Sequence, residues 1–226
     1  MTARRSTFFA LLGIAVVLAG VMVYHSTSAP GAAFAEAQAA PAGGTGEYSP
    51  SLRAVLEEKG LRAPIPGLWI LVDKSEHTLS LFSGDTWLKS YHVEIGDGGA
   101  GDKHVAGDHL TPEGRFYVSQ RSVLDPPDYY LGSRWMRLSY PNAEDAARGL
   151  ARGLIDRTTH DAIVNAVATL AVPPQGTALG GGIGIHGGDI PSFGPDWTWG
   201  CVALTNADVE EIYDYIGVGT PVVIQK

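Results

Sequence analysis

The sequence predicts a β-rich α+β domain, and three observations lead to that fold class. Eight short runs carry the apolar, β-branched and aromatic residues typical of strands. Only a few segments carry apolar residues at helical spacing. Hydrophobic residues make up 45% of the 226 residues and charged residues 18%, which is typical of a globular domain. Many short strands with a few peripheral helices indicate an α+β architecture.

The first 25 residues predict an export leader. Arg4 and Arg5 precede the uncharged apolar run 8–24, which is the order of a basic region and a hydrophobic segment in a signal. That run just reaches the length of a membrane span, and an A-x-A cleavage pattern follows at 33–35. A cleaved signal peptide and a retained signal-anchor helix both stay open, and either exports the rest of the chain. Residues 26–49, rich in Ala, Gly and Pro, predict a flexible spacer.

A short helix is expected within 50–63, ahead of a single domain at 64–226. Ser49 is suited to cap this helix, with Pro50 at the first helical position and Gly60 at its end. The domain then shows its strand patterns, which lie at 68–72, 78–82, 87–95, 115–119, 134–139, 183–186, 201–204 and 221–224.

Two further helices are predicted inside the domain. Residues 156–170 carry apolar side chains at helical spacing, and Thr205 opens a last helix that Gly217 stops. The segment 142–170 has two interpretations, a lid over a cleft or a packing element.

Charge and cysteine content exclude several classes of protein. The net charge of −8 argues against binding to nucleic acid, because such proteins usually present a basic face. The single cysteine, Cys201, excludes an internal disulfide and a zinc site built from several cysteines. This thiol is therefore either a small buried hydrophobic group or a reactive one.

Two motifs are weak candidates for a functional site. The glycine pattern at 96–101 matches G-x-G-x-x-G, but no helix follows to hold a pyrophosphate, so we reject a nucleotide site. A second set of side chains contains potential zinc ligands, although its spacing matches no zinc motif, and we expect no metal there. This set comprises His104, Asp108, His109, His186 and Asp189.

The third candidate pairs Cys201 with His186. A nucleophilic cysteine needs a base to take its proton and backbone N–H groups to stabilise the oxyanion. His186 ends one predicted strand and Cys201 begins another, so neighbouring strand ends can bring the two side chains together. Gly200 allows a sharp backbone bend just before the cysteine.

These residues resemble the catalytic domain of the L,D-transpeptidases, the YkuD-like family of bacterial cell-wall enzymes. The segments 70–74 and 78–82 are similar to the family's opening hairpin, and 107–116 contains a Thr-Pro-x-Gly-x-Phe block. His186-Gly187 and Thr198-x-Gly200-Cys201-Val202 resemble the family signature. The resemblance covers about residues 64–226 and implies a β-sandwich of mixed sheets with a few peripheral helices.

The resemblance also implies a mechanism and its residues. Cys201 would be the nucleophile, His186 the general base and acid, and the carbonyl of Gly187 would orient the imidazole. The N–H groups of Trp199, Gly200 and Cys201 would form the oxyanion hole, and Thr198 would shape the loop. The substrate class would be peptidoglycan stem peptides. The implied protein is an exported monomer of the periplasm or cell envelope that needs no cofactor, with one N-terminal membrane anchor if the leader is retained.

Two positions depart from the family pattern. Trp199 replaces a histidine common in the family, and Ala203 replaces an arginine that is a candidate partner for a substrate carboxylate. Arg115, Arg134 and Arg137 are the candidates to compensate for that arginine.

Three alternatives to a transpeptidase stay open from the sequence. An L,D-carboxypeptidase or amidase would hydrolyse the same acyl-enzyme with water. A cell-wall-binding module would carry Cys201 as an unreactive buried thiol. A metallopeptidase would use the histidine and aspartate set. The acyl acceptor is equally open.

Overall fold

The computed structural model describes residues 50–188 and 194–226. The leader predicted at 1–25 and the spacer predicted at 26–49 lie outside the described residues. Within the described ranges, no helix combines the length and the hydrophobicity that a membrane crossing requires.

The described residues form eight strands and four helices. The strands are β1 (Leu68–Asp73), β2 (Thr78–Ser83), β3 (Thr86–His92), β4 (Gly114–Asp128), β5 (Gly132–Leu138), β6 (Gly184–His186), β7 (Val202–Ala203) and β8 (Pro221–Gln225). The helices are α1 (Leu52–Glu58), α2 (Ala143–Ala151), α3 (Arg157–Ala168) and α4 (Asn206–Tyr213). This content confirms the predicted β-rich α+β class.

The strands are hydrogen-bonded in the order β3-β2-β1-β8-β4-β5-β6-β7. The pairs β1–β8 and β6–β7 are parallel, and the other pairs are antiparallel, so the pairing is mixed as predicted. The long strand β4 pairs with β8 through its first residues and with β5 through its later ones, and thereby joins two sheets. Buried apolar side chains from both sheets pack in one core, among them Val72, Leu81, Met136, Ile185 and Val202.

Some element boundaries differ from the prediction. The N-cap of α1 is Ser51, whose hydroxyl accepts the N–H of Ala54, and not Ser49, which lies outside the described residues. Strand β4 runs nine residues beyond the predicted end at 119, through Pro126 and Pro127, to a tight hairpin with β5. Proline cannot donate to a sheet ladder, so it hides such a continuation from a sequence pattern.

The segment 142–170 is a packing element. Asn142 and Asp145 form a capping box at the start of α2, and Asp156 caps α3. The two helices bury a second apolar cluster of Ala146, Ile155, Ile163 and Leu179. The hydroxyl of Tyr117 donates to the carbonyls of Ala166 and Ala171, which fixes the end of α3 against β4.

Candidate active site

Two neighbouring parallel strands bring Cys201 and His186 to one cavity. In the β6–β7 pair, Ile185 lies opposite Val202 and His186 opposite Ala203. Continuing this register by one residue places Cys201 beside Gly184. Because side chains alternate along a strand, Cys201 and His186 then project from the same face. Both side chains line a cavity of about 860 Å³.

The imidazole of His186 is buried and held in one orientation. Its Nδ1 is hydrogen-bonded to the carbonyl of Gly187, and since a carbonyl only accepts, Nδ1 carries the proton and Nε2 does not. The ring lies 5.9 Å from the rings of both Trp135 and Trp197, measured between centroids. Burial lowers the pKa of His186 to about 4, against the opposing effects of the Gly187 carbonyl and Asp128. The imidazole is therefore neutral at physiological pH.

The thiol of Cys201 is also neutral in this environment. Burial raises its pKa to about 11, while a backbone hydrogen bond at Gly184 and the charges of Lys103 and Arg137 act in the opposite direction. Its Sγ lies 3.5 Å from the carbonyl oxygen of Gly182, which can accept the thiol proton. The pair thus rests as thiol and neutral imidazole rather than as thiolate and imidazolium.

A short loop fixes the backbone immediately before Cys201. The hydroxyl of Thr198 donates to the carbonyl of Cys201 at 2.8 Å and accepts the N–H of Gly200 at 3.2 Å. Gly200 has φ +112°, and a Cβ built there would lie 2.6 Å from the carbonyl oxygen of Leu110. Both the backbone angle and this close approach require glycine.

The three predicted oxyanion donors are not equivalent. In the resting site the N–H of Gly200 donates to the hydroxyl of Thr198 at 3.2 Å. Among the described residues, the N–H groups of Trp199 and Cys201 have no hydrogen-bond acceptor. The indole of Trp199 is 75% exposed at the cavity and stacks on His109 at 5.6 Å.

The cavity wall contains side chains that the sequence did not single out for the site. Lys103 is buried and donates to Asp108 at 2.5 Å. Asp128 and Tyr130 come from the β4–β5 hairpin, and Trp197 comes from the loop before the cysteine. Lys103 follows Gly101 and Asp102 shortly before the Thr-Pro-x-Gly-x-Phe block, which is the local signal that marks it, whereas no local pattern marks the hairpin residues.

Among the described residues, His104, Asp108, His109 and His186 do not converge as a group of potential metal ligands. The carboxylate of Asp108 accepts hydrogen bonds from Lys103 and from the backbone N–H groups of His104, Val105 and Leu110. His109 is instead paired with Asp97, and Asp189 lies outside the described residues. Over 50–188 and 194–226, three potential metal ligands converge at a different place, described below.

Of the three arginines proposed to compensate for the arginine that Ala203 replaces, none lines the cavity, and only Arg137 acts on the thiol of Cys201 through its charge. Arg134 contacts Glu210 at 3.8 Å and stacks on Tyr213, away from the lining of the cavity. Arg137 lies over Trp135, and its charge acts on the thiol of Cys201. Arg115 does not line the cavity either. Lys103, which does line it, is the cationic residue that the sequence argument missed.

Comparison with known proteins gives a consistent set of similarities. A family described as the L,D-transpeptidase catalytic domain matches residues 67–224. An Escherichia coli (strain K12) protein named "Putative L,D-transpeptidase YafK" is 30% identical over 153 residues, which cover 66% of this chain and 47% of that protein. The chain therefore spans about half the length of this curated relative.

Two solved structures are also similar. The structure of Bdellovibrio bacteriovorus Bd1075 is 25% identical with a TM-score of 0.47, and the match covers 73% of this chain and 49% of that one. The helical cell shape determining protein Pgp2 from Campylobacter jejuni is 20% identical with a TM-score of 0.48, covering 77% and 55%.

Proposed function

The chain belongs to the family of L,D-transpeptidase catalytic domains, and from this premise we propose that it is a peptidoglycan L,D-transpeptidase with Cys201 as its nucleophile. On this proposal the substrate would be a stem tetrapeptide, and the products would be a released D-alanine and a new amide bond to an amine acceptor. The observation that carries the proposal is the placement of a single thiol and a fixed neutral imidazole on one wall of a large cavity.

The first half-reaction uses His186 as a general base. Because Nδ1–H is held by the Gly187 carbonyl, Nε2 is the nitrogen that accepts the thiol proton. The sulfur attacks the carbonyl carbon of the bond to the terminal D-alanine. When the tetrahedral intermediate collapses, the C–N bond breaks and the imidazolium returns its proton to the departing amine. A thioester remains on Cys201.

The second half-reaction restores the thiol. An amine of a second stem peptide attacks the thioester carbonyl, and Nε2 of His186 takes the proton of that amine. The C–S bond breaks, an amide forms, and the sulfur recovers the proton from the imidazolium. Protons and bonds balance without any cofactor.

Negative charge on the tetrahedral intermediate is favoured by groups on the same wall. The N–H groups of Trp199 and Cys201 are the two donors left for an oxyanion, and removing one such donor typically costs about 3 kcal/mol of transition-state stabilisation. Lys103 and Arg137 already lower the pKa of the thiol, so their field favours an anion at this position. We assign them this electrostatic role in place of the arginine replaced by Ala203.

Action on peptidoglycan requires the domain to lie outside the cytoplasm. The leader predicted from Arg4, Arg5 and the apolar run 8–24 supports export to the periplasm or cell envelope. We therefore propose an exported enzyme, and we keep the expectation from the family resemblance that it is a monomer.

The test is an incubation of the full chain with disaccharide tetrapeptides, analysed by mass spectrometry. Wild type is compared with Cys201→Ser, which changes one atom, and with Gly99→Ala, a matched variant in an open loop. We expect an acyl-enzyme on Cys201 that lacks D-alanine, followed by cross-linked dimers, in wild type and Gly99→Ala only.

The other outcomes distinguish the alternatives. An acyl-enzyme that yields only shortened monomers would replace the transpeptidase by a carboxypeptidase or amidase. Absence of both acyl-enzyme and products from a folded wild-type protein would refute catalysis and leave the wall-binding interpretation. Products from Cys201→Ser at the wild-type rate would refute the assigned nucleophile.

A further inference from the structure

Three separate segments bring three potential metal ligands together outside the cavity lining, and a fourth candidate, His92, lies beside them. His77 lies in the turn between β1 and β2, His92 ends β3, Glu94 follows it, and Asp196 lies in the loop before Cys201. We call these four residues the His77 cluster. His77, Glu94 and Asp196 each offer a ligand atom, and these atoms lie within 4.8 Å of one another.

The contacts inside the His77 cluster already orient the ligand atoms. His77 Nε2 lies 2.8 Å from Asp196 Oδ1, and His92 Nε2 lies 3.0 Å from Glu94 Oε1. The other Glu94 oxygen accepts the backbone N–H of Asp196 at 2.8 Å. The two imidazole rings are stacked with their centroids 6.1 Å apart. One carboxylate thus faces each imidazole.

The chemistry of these ligands suits a divalent transition-metal ion. Imidazole nitrogen and carboxylate oxygen are both zinc ligands, with bonds of about 2.0–2.2 Å, so that tetrahedral ligand atoms stand roughly 3.3 Å apart. The ligand atoms of His77, Glu94 and Asp196 lie within 4.8 Å of one another, so side-chain rotations must bring them to that spacing around an ion. Two carboxylates also supply a charge of −2 to offset the ion. The side chains of His77 and Asp196 are 31% and 36% exposed, so an ion can enter from solvent.

We propose that the His77 cluster is a binding site for a divalent transition-metal ion of the Zn²⁺ type. The ion would replace the His77–Asp196 hydrogen bond and coordinate His77, Glu94 and Asp196, with His92 or water as the fourth ligand. Because Asp196 lies in the loop that leads to Thr198 and Cys201, the ion ties this loop to the β1–β2 turn. The site is structural, and it does not depend on the proposed reaction.

The test measures Zn²⁺ and Co²⁺ binding to chelator-treated full-length protein. All proteins carry Cys201→Ala, which removes the thiol as a competing ligand. Isothermal titration with Zn²⁺ gives the affinity and stoichiometry, and Co²⁺ absorption reports the coordination geometry. Bound Zn²⁺ is also expected to raise the melting temperature, because it binds the folded state.

Two variants remove ligands and one serves as a control. His77 and Asp196 have φ of +51° and +50°, and asparagine tolerates that backbone region, so His77→Asn and Asp196→Asn are suited to retain the fold. His160→Asn alters a histidine that is 2.7 Å from Asp161 and that belongs to no group of three potential metal ligands within the described part of the chain. Melting without metal verifies that each variant folds.

We expect one equivalent of Zn²⁺ in the parent and in His160→Asn, and at least about ten-fold weaker binding in each ligand variant. The absence of saturable binding in the parent would overturn the site. Unchanged affinity in both His77→Asn and Asp196→Asn would also overturn it, because the ion would then be bound elsewhere. If one of the two ligand variants fails to fold, the Zn²⁺ affinity of the other variant tests the site.

Discussion

Replacement of His186 by glutamine is expected to remove a specific part of the acid sensitivity of the fold. The pKa of His186 is lowered from 6.5 to about 4, with burial as the main cause. Between these two values the unfolded chain binds a proton at this residue and the folded protein does not. The free energy of unfolding therefore falls as the pH falls through this window.

The magnitude follows from the two pKa values. Each unit of difference corresponds to about 1.36 kcal/mol, so the contribution lost between pH 7 and pH 4.5 is about 2–3 kcal/mol. Glutamine at position 186 does not titrate, and all carboxylates remain the same in both proteins. The difference between the pH dependences of wild type and variant isolates the histidine.

The assay is urea unfolding of wild type, His186→Gln and His160→Gln at pH 7 and pH 4.5. At a urea dependence of about 2 kcal/mol per molar, the wild-type midpoint should fall by roughly 1 M more than that of His186→Gln. His160→Gln, which alters a histidine of α3 outside the cavity lining, should follow the wild type.

Equal midpoint shifts in wild type and His186→Gln would refute the reasoning. That result would mean that His186 has the same pKa in the folded protein and in the unfolded chain. The conclusion that burial lowers the pKa of His186 would then be wrong.

Two further predictions concern the loop before the cysteine. Gly200→Ala should cost about 2–4 kcal/mol of unfolding free energy, because the new Cβ would clash with the Leu110 carbonyl oxygen. Gly99→Ala should cost only about 1 kcal/mol, because Gly99 also has a positive φ, +91°, but no atom lies within 4 Å of the new Cβ. Equal losses in urea unfolding would contradict the close approach. Thr198→Val should lower the free energy of unfolding by about 1–3 kcal/mol and slow the acylation of Cys201, because both hydrogen bonds of the hydroxyl are lost. Thr198→Ser keeps the hydroxyl and should behave like the wild type. A Val variant with wild-type stability and acylation rate would show that the hydroxyl does not hold the loop.

The sequence predicted most strands and helices correctly because each is marked by its own run of apolar residues at strand or helix spacing. Apolar residues at helical spacing predicted a helix over 156–170, and its bounds lie within two residues of those of α3. The end of β4 escaped prediction, because the strand continues past Pro126 and Pro127, which have no partner in β5, to Asp128, which pairs with Gly132. Proline cannot donate to a sheet ladder, so these two residues break the strand pattern in the sequence although the strand itself continues.

The residues of the candidate site likewise fall into those that the sequence predicted and those that it did not. Cys201 and His186 end up on one wall because strand order brings two predicted strand ends together. The β4–β5 hairpin adds Tyr130 to that wall from far along the chain, and no sequence spacing marks it. Asp108 was a plausible metal ligand by residue type alone, but backbone N–H groups and Lys103 occupy its carboxylate.

The neutral resting pair also bears on how the proposed reaction would be accelerated. Burial raises the pKa of Cys201 and lowers that of His186, so the ground state gains no charge stabilisation from Lys103, Arg137 or the two remaining N–H donors. Those groups act only when a thiolate or an oxyanion forms. Interactions that strengthen only at the transition state raise the rate, whereas equal stabilisation of both states does not. On the proposed mechanism, burial therefore has two effects. It keeps the thiol of Cys201 protonated at rest, and it leaves the positive charges of Lys103 and Arg137 to stabilise the anionic tetrahedral intermediate.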